Sequence, residues 1–122
     1  ILLIASILND IQINEFINIA NEVGLDCIIE THSHEEIERA IKINYPILGI
    51  NNRNLNTLTV DINNTQNLIN NIPDNFTIIG ESGIKNYSEI KMYNQMGIYN
   101  FLVGESLLKS QNIDMKLKEF LR

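Results

Sequence analysis

Carboxylates, amides and glycines recur in this chain directly behind short apolar runs. Glu30 follows Cys27-Ile28-Ile29, and Asn51-Asn52-Arg53 follows the run from Ile47 to Ile50. Gly80-Glu81-Ser82-Gly83 follows Thr77 to Ile79, and Gly104-Glu105-Ser106 follows Phe101 to Val103. Glu30 and Glu81 are candidates for acid–base work, because a carboxyl anchored to a buried strand and partly desolvated holds its proton more tightly than one in water. Asn51 offers an amide that could orient a substrate hydroxyl or cap a turn. Arg53 could grip a phosphate or carboxylate at two points, or end in a surface ion pair. Gly83 and Gly104 would leave backbone N–H groups exposed near helix starts, where an oxyanion meets aimed donors without needing a lysine. Either glycine could instead serve a tight turn. As a pair in adjacent units they point to a phosphate site.

Other polar residues carry less. His32 and His34 form a His-x-His pair with no third ligand, so no metal site is expected, and both are placed on the surface at a helix start. Cys27 lies in an apolar run and reads as a small buried hydrophobe. Glu35, Glu36, Glu38, Arg39 and Lys42 read as a solvated helix face.

These residues need elements to position them. Five continuous apolar runs, Leu2 to Ile4, Cys27 to Ile29, Ile47 to Ile50, Thr77 to Ile79 and Phe101 to Val103, have the pattern of strands buried on both faces of a parallel sheet. Ile13, Phe16, Ile17 and Ala20 make a helical stripe that Gly24 ends. Ser33 with Glu36 opens a second helix whose inner face is Ile37, Ala40 and Ile41. Leu68, Ile69 and Ile72 mark a third, closed by Pro73. Asn86 with Glu89 caps a fourth, built on Ile90, Tyr93 and Met96 and stopped by Gly97, and a fifth runs from about Ile113 to Leu121. The alternation βαβαβαβαβα predicts an α/β fold with a parallel sheet, whose functional residues gather where strands end.

Size and charge bound the rest. The chain's 122 residues suffice for one domain. Fifteen acidic side chains against 9 basic ones, a net charge of -6, argue against a nucleic-acid or membrane-surface partner. The longest apolar run, Ile1 to Ala5, is far short of the ~20 residues of a spanning helix. One cysteine excludes an internal disulfide and suits a reducing, cytoplasmic setting. The chain opens without an initiator methionine or a signal peptide.

The stretches Ile29-Glu30-Thr31-His32-Ser33, Gly49-Ile50-Asn51-Asn52-Arg53-Asn54-Leu55, Gly80-Glu81-Ser82-Gly83-Ile84 and Phe101-Leu102-Val103-Gly104-Glu105-Ser106-Leu107 resemble the indole-3-glycerol phosphate synthases. That family consists of (β/α)8 TIM barrels of tryptophan biosynthesis. The resemblance runs from the family's fourth strand to its final helix. It implies that residues 1–122 form the C-terminal part of a single barrel domain, five parallel strands alternating with helices, with three N-terminal βα units absent. The implied substrate is a phosphorylated small molecule, 1-(2-carboxyphenylamino)-1-deoxyribulose 5-phosphate. It undergoes decarboxylating ring closure and loss of water, and no cofactor is called for.

By the same resemblance Glu30 matches the glutamate of proton transfer. Asn51 matches the asparagine on the reacting substrate, and Arg53 a nearby binding arginine. Glu81 and Ser82 match the pair after the seventh strand, and Gly83, Gly104 and Glu105 match the backbone phosphate cradle. Glu105 stands where a serine is common, a change of little weight if only its N–H binds. The family's main catalytic lysine, on strand three, and a second lysine and a glutamate on strand one have no counterpart among these residues. A partial barrel also leaves open edges, so the chain alone is expected neither to pack well as a monomer nor to turn over substrate. The competing expectations are another phosphate-binding barrel enzyme, an isomerase or aldolase, and a non-catalytic truncated assembly module.

Overall fold

The structure, a computed structural model, describes residues 1–54 and 57–122; Leu55, at the end of one resembling stretch, lies outside them. The five apolar runs form β1 (Leu2–Ile4), β2 (Ile28–Thr31), β3 (Ile47–Asn51), β4 (Thr77–Glu81) and β5 (Asn100–Leu102). All pair in parallel, in the order β1-β2-β3-β4-β5, so each strand lies beside its neighbours in sequence. The strands run further than their apolar residues: Glu30, Asn51 and Glu81 are part of the ladder rather than the loops behind it.

Among the described residues six helices connect and follow the strands: α1 (Asp10–Glu22), α2 (His34–Ile43), α3 (Asn63–Leu68), α4 (Tyr87–Gln95), α5 (Glu105–Leu108) and α6 (Ile113–Phe120). Their starts have a chemical cause. Asn9 and Asn86 each accept from the backbone N–H three residues on, while Gln12 and Glu89 reach back to the cap, two complete capping boxes. Ser33 Oγ accepts from Glu36 N at 3.2 Å, but the Glu36 carboxylate turns instead to His32. The third helix gives way after Leu68 to a single 3-10 turn, Ile69–Asn71, ahead of Pro73. The helix start that the sequence places beside Gly104 is the one-turn α5, four residues that are too few to show a period.

The helices cover one face of the sheet. Ile29, Leu48 and Ile50 pack there against Ile13, Ile17, Ala20, Ile37 and Ala40. A second cluster gathers Ile84, Ile90, Tyr93, Ile98 and Phe120, and Ile78 of β4 touches both. Phe16, expected inside, is 42% exposed; the stripe that α1 buries is Ile13, Ile17 and Ala20. Arg39 is not a solvated charge. It donates to Ala5 O at 2.9 Å and Leu8 O at 2.7 Å and pairs with Asp10, fastening α2 to the β1–α1 turn.

Among the described residues no helix packs on the other face. The registers set Ile4, Glu30, Gly49, Ile79 and Asn100 in one row across it, and Asn51, Glu81 and Leu102 in the next. Leu2 and Leu102 are exposed and Ile4 and Ile79 half-buried on that side. Five βα units with one helical layer outside and a second face bare are part of a (β/α)8 barrel. No helix among the described residues is long and apolar enough to cross a membrane.

Candidate active site

The polar residues meet at the C-terminal edge of the bare face, as the register demands. Glu30, Asn51, Arg53, Glu81, Ser82, Gly83, Gly104 and Glu105 all line one cleft of about 380 Å³. A larger adjoining hollow of about 650 Å³ shares Asn51 and Arg53 and reaches His32, Glu36 and the β1–α1 turn at Ser6 and Ile7.

The two glutamates are set by a glycine between them. Glu30 on β2 lies opposite Gly49 on β3, and a Cβ at Gly49 would fall 2.1 Å from Glu81 Oε1. The side chain of Glu81 therefore lies across the Cα of Gly49, toward Glu30. Both carboxyls are buried, and Glu81 Oε1 has no aligned hydrogen-bond partner among the described residues. Burial first, then the hydrogen-bonding and charged Glu30 carboxyl, raises Glu81 from 4.5 to about 8. Two like carboxyls at close quarters cannot both ionise cheaply, so near neutral pH this one keeps its proton.

Asn51 Oδ1 accepts from Arg53 N at 2.9 Å, the turn-forming role weighed for it in the sequence. Its side chain still borders both hollows. Arg53 carries the ion pair that was its other prospect: Nη2 lies 2.6 Å from Glu105 Oε2, and Nη1 donates to Leu58 O at 3.3 Å. Glu105 also holds Lys109 Nζ at 2.6 Å. Those two cations, Lys109 foremost, hold the Glu105 carboxyl below the usual range. Its side chain thus matters more than the sequence suggested, because it occupies the arginine expected to take an anion.

The glycine ends are unlike one another. Gly83 has φ +83°, and a Cβ there would meet Val60 Cγ1 at 2.6 Å, so both turn and space require glycine. Gly104 has φ -121° with open space around it, leaving its backbone approachable without any turn requirement. Ser82, between Glu81 and Gly83, adopts φ +62°, a conformation costly for a residue with a Cβ and often found at functional sites. The backbone N–H groups of Gly83, Gly104 and Glu105 make no hydrogen bond among the described residues. They do not sit on a long helix: α4 starts only at Tyr87, and α5 is one turn. Ser106 Oγ donates to Ile84 O at 2.6 Å and ties the two loops together.

Two residues escaped the sequence reading. Asn52 is buried and joins four elements: its Nδ2 donates to Glu81 O at 3.0 Å, to Ser82 O at 3.3 Å and to the Tyr93 hydroxyl, while its Oδ1 accepts from Thr65 Oγ1 at 2.9 Å. The neighbouring Asn51 drew attention because either amide fits the sequence signal. His32 is not on the surface; its side chain is 14% exposed, wedged between Glu30 and Glu36. Cys27 is buried, and that burial raises its thiol, as suits a structural residue. Among the described residues no three His, Cys, Asp or Glu side chains could hold a metal ion together.

Comparison with known proteins supplies the context. Residues 1–120 match the family model described as indole-3-glycerol phosphate synthase. The indole-3-glycerol phosphate synthase of Leuconostoc mesenteroides is 47% identical over 110 residues, covering 90% of this chain and 42% of the relative. That of Acetivibrio thermocellus is 40% identical over 120 residues, 98% of this chain and 46% of the relative. The chain thus spans a little under half the length of the curated relatives it matches. Among solved structures, 3-hexulose-6-phosphate synthase from Salmonella typhimurium superposes with a TM-score of 0.78 at 12% identity, over 98% of this chain and 58% of that one. Thiamine phosphate pyrophosphorylase from Pyrococcus furiosus gives 0.75 at 15%, over 98% and 56%. At such identities these two likenesses show the fold alone.

Proposed function

The chain belongs to the indole-3-glycerol phosphate synthase family, and from that premise we propose that its residues 1–122 are the C-terminal part of a single barrel. The barrel converts 1-(2-carboxyphenylamino)-1-deoxyribulose 5-phosphate to indole-3-glycerol phosphate. The observation that carries the proposal is the gathering of every candidate residue on one cleft, with the two buried carboxyls of Glu30 and Glu81 at its centre.

The chemistry has three demands. The ring carbon bearing the carboxylate bonds to the ketose carbonyl carbon, whose oxygen must gain a proton. The carboxylate then leaves as CO₂, and the electron pair it releases restores the aromatic ring. Finally the new hydroxyl leaves as water while the adjacent carbon gives up a proton. No external electron acceptor enters this balance, so no organic cofactor is required.

Glu81, protonated near neutral pH, serves as a proton donor, and Glu30 as its exchange partner across Gly49. Asn51 orients the reacting hydroxyl or carbonyl, and Ser82 borders the same spot from the strained turn. The backbone N–H groups of Gly83, Gly104 and Glu105 hold the substrate phosphate, with Arg53 released from Glu105 as its counter-ion. The remaining βα units, in the same or a separate chain, supply the lysines and cover the bare apolar face.

The test is turnover by the assembled synthase, read as indole-3-glycerol phosphate formed and CO₂ released. Glu30→Gln and Glu81→Gln should each lower kcat roughly 10²- to 10⁴-fold, the range for a lost proton-transfer group. Undiminished turnover in both variants, or isomerisation or aldol cleavage in place of CO₂ release, overturns the proposal.

A further inference from the structure

His32 faces Glu30 with one ring nitrogen and is held from behind by the other. Nδ1 lies 3.3 Å from Glu36 Oε2, and the same carboxylate oxygen accepts from the His32 backbone N–H at 2.7 Å. Glu36 is itself fixed in the first turn of α2, its backbone N–H bonded to Ser33 Oγ. Backbone and ring are thus held together by one carboxylate, which leaves the imidazole little freedom to turn. On the other side Nε2 is buried, lies 3.3 Å from Glu30 Oε1, and has no aligned hydrogen-bond partner among the described residues.

Buried ring nitrogens are rarely left so. We propose that His32 is a positioning residue for Glu30: the Glu36–His32 pair holds an imidazole nitrogen against Oε1 and thereby reserves Oε2 for the reaction's proton. The cleft geometry fits this division. Glu30 lies between His32 on the side of the larger hollow and Glu81 on the side of the smaller one. A carboxyl free to spin would present either oxygen to the substrate; one pinned at Oε1 presents a single oxygen in a single place. The inference rests on the role of Glu30 proposed above.

Three variants of the assembled synthase test it. His32→Ala should lower kcat roughly 10- to 100-fold, the cost of a misplaced reacting group, while KM for the substrate changes less than threefold. His32→Gln, whose terminal NH₂ reaches the place of Nε2, should recover most of the lost kcat. His32→Asn, whose amide reaches only the place of Nδ1, should not. Thermal unfolding of each variant separates a structural role. If Gln restores the melting temperature but not kcat, or if KM rises in step with the fall in kcat, the positioning role is wrong. Glu30→Gln distinguishes the two levels of the argument. Full turnover by Glu30→Gln removes the functional reading and this inference together, whereas a dead Glu30→Gln beside a normal His32→Ala removes only this inference.

Discussion

Replacing Gly49 by alanine tests the arrangement at the centre of the cleft. The new Cβ would lie 2.1 Å from Glu81 Oε1, 3.0 Å from Glu81 Cδ and 3.0 Å from Ile28 Cγ2. An ordinary contact needs about 3.4 Å or more, so the Glu81 carboxyl must move by over 1 Å or β3 must shift. Gly49 is in a regular strand, so alanine there also removes unfolded-state freedom, a gain of up to about 1 kcal/mol. Overpacking of a buried site costs about 1–3 kcal/mol, which leaves a net loss of about 1–2 kcal/mol. In the assembled barrel, about twice this length, that lowers the melting temperature by roughly 2–8 °C.

The decisive comparison is Gly49→Ala with and without Glu81→Ala, by urea unfolding at pH 7. Removing the carboxyl opens the space that the new methyl needs. The double variant should therefore be more stable than the sum of the single changes by about 1 kcal/mol or more. Additivity within about 0.5 kcal/mol would show that the methyl does not meet Glu81, and the geometry assigned to the glutamate pair would be refuted.

Three further outcomes are expected. Glu81 is raised in the folded state, so it contributes stability that is fully present below pH 4.5 and lost as pH climbs toward about 8; the unfolding free energy from urea titrations should fall between pH 5 and 9, by up to roughly 5 kcal/mol, and Glu81→Gln should flatten that slope. Asn52→Ala leaves the Tyr93 hydroxyl and Thr65 buried without their shared partner, and should cost roughly 2–4 kcal/mol in a urea titration; a loss under 0.5 kcal/mol would mean the network is idle. Glu105→Gln frees Arg53 and removes a negative charge beside Gly104, so inorganic phosphate should bind roughly threefold tighter by calorimetry, with the gain fading in high salt; unchanged affinity would mean that Glu105 and phosphate do not compete.

The sequence disclosed what depends on neighbours along the chain. Apolar runs located all five strands to within a residue or two, and Ser33, Asn86 and Gly97 marked helix ends that the structure keeps. It also disclosed the common edge, because parallel strands joined by helices must all end on the same side. What stayed hidden depends on contacts across elements. Glu81 owes its place to Gly49, 32 positions earlier, and Asn52 owes its burial to Thr65 and Tyr93 on two different helices. His32 looked like a surface residue because nothing in its own stretch reveals that Glu36 turns back to hold it. Phe16 has the right spacing for the α1 stripe, but it falls at the margin of the surface that the sheet covers.

The order of the strands bears on how the protein is made. Among the described residues each strand pairs with the one synthesised immediately before or after it, so none of these five must thread between two earlier ones. This part of the ladder can therefore be extended from β1 toward β5 as the polypeptide leaves the ribosome, each addition waiting on a whole βα crossover. Ile78, which touches both apolar clusters, is where the second cluster is joined to the first. The glutamate pair is completed late in this sequence, when β4 brings Glu81 over a strand already in place.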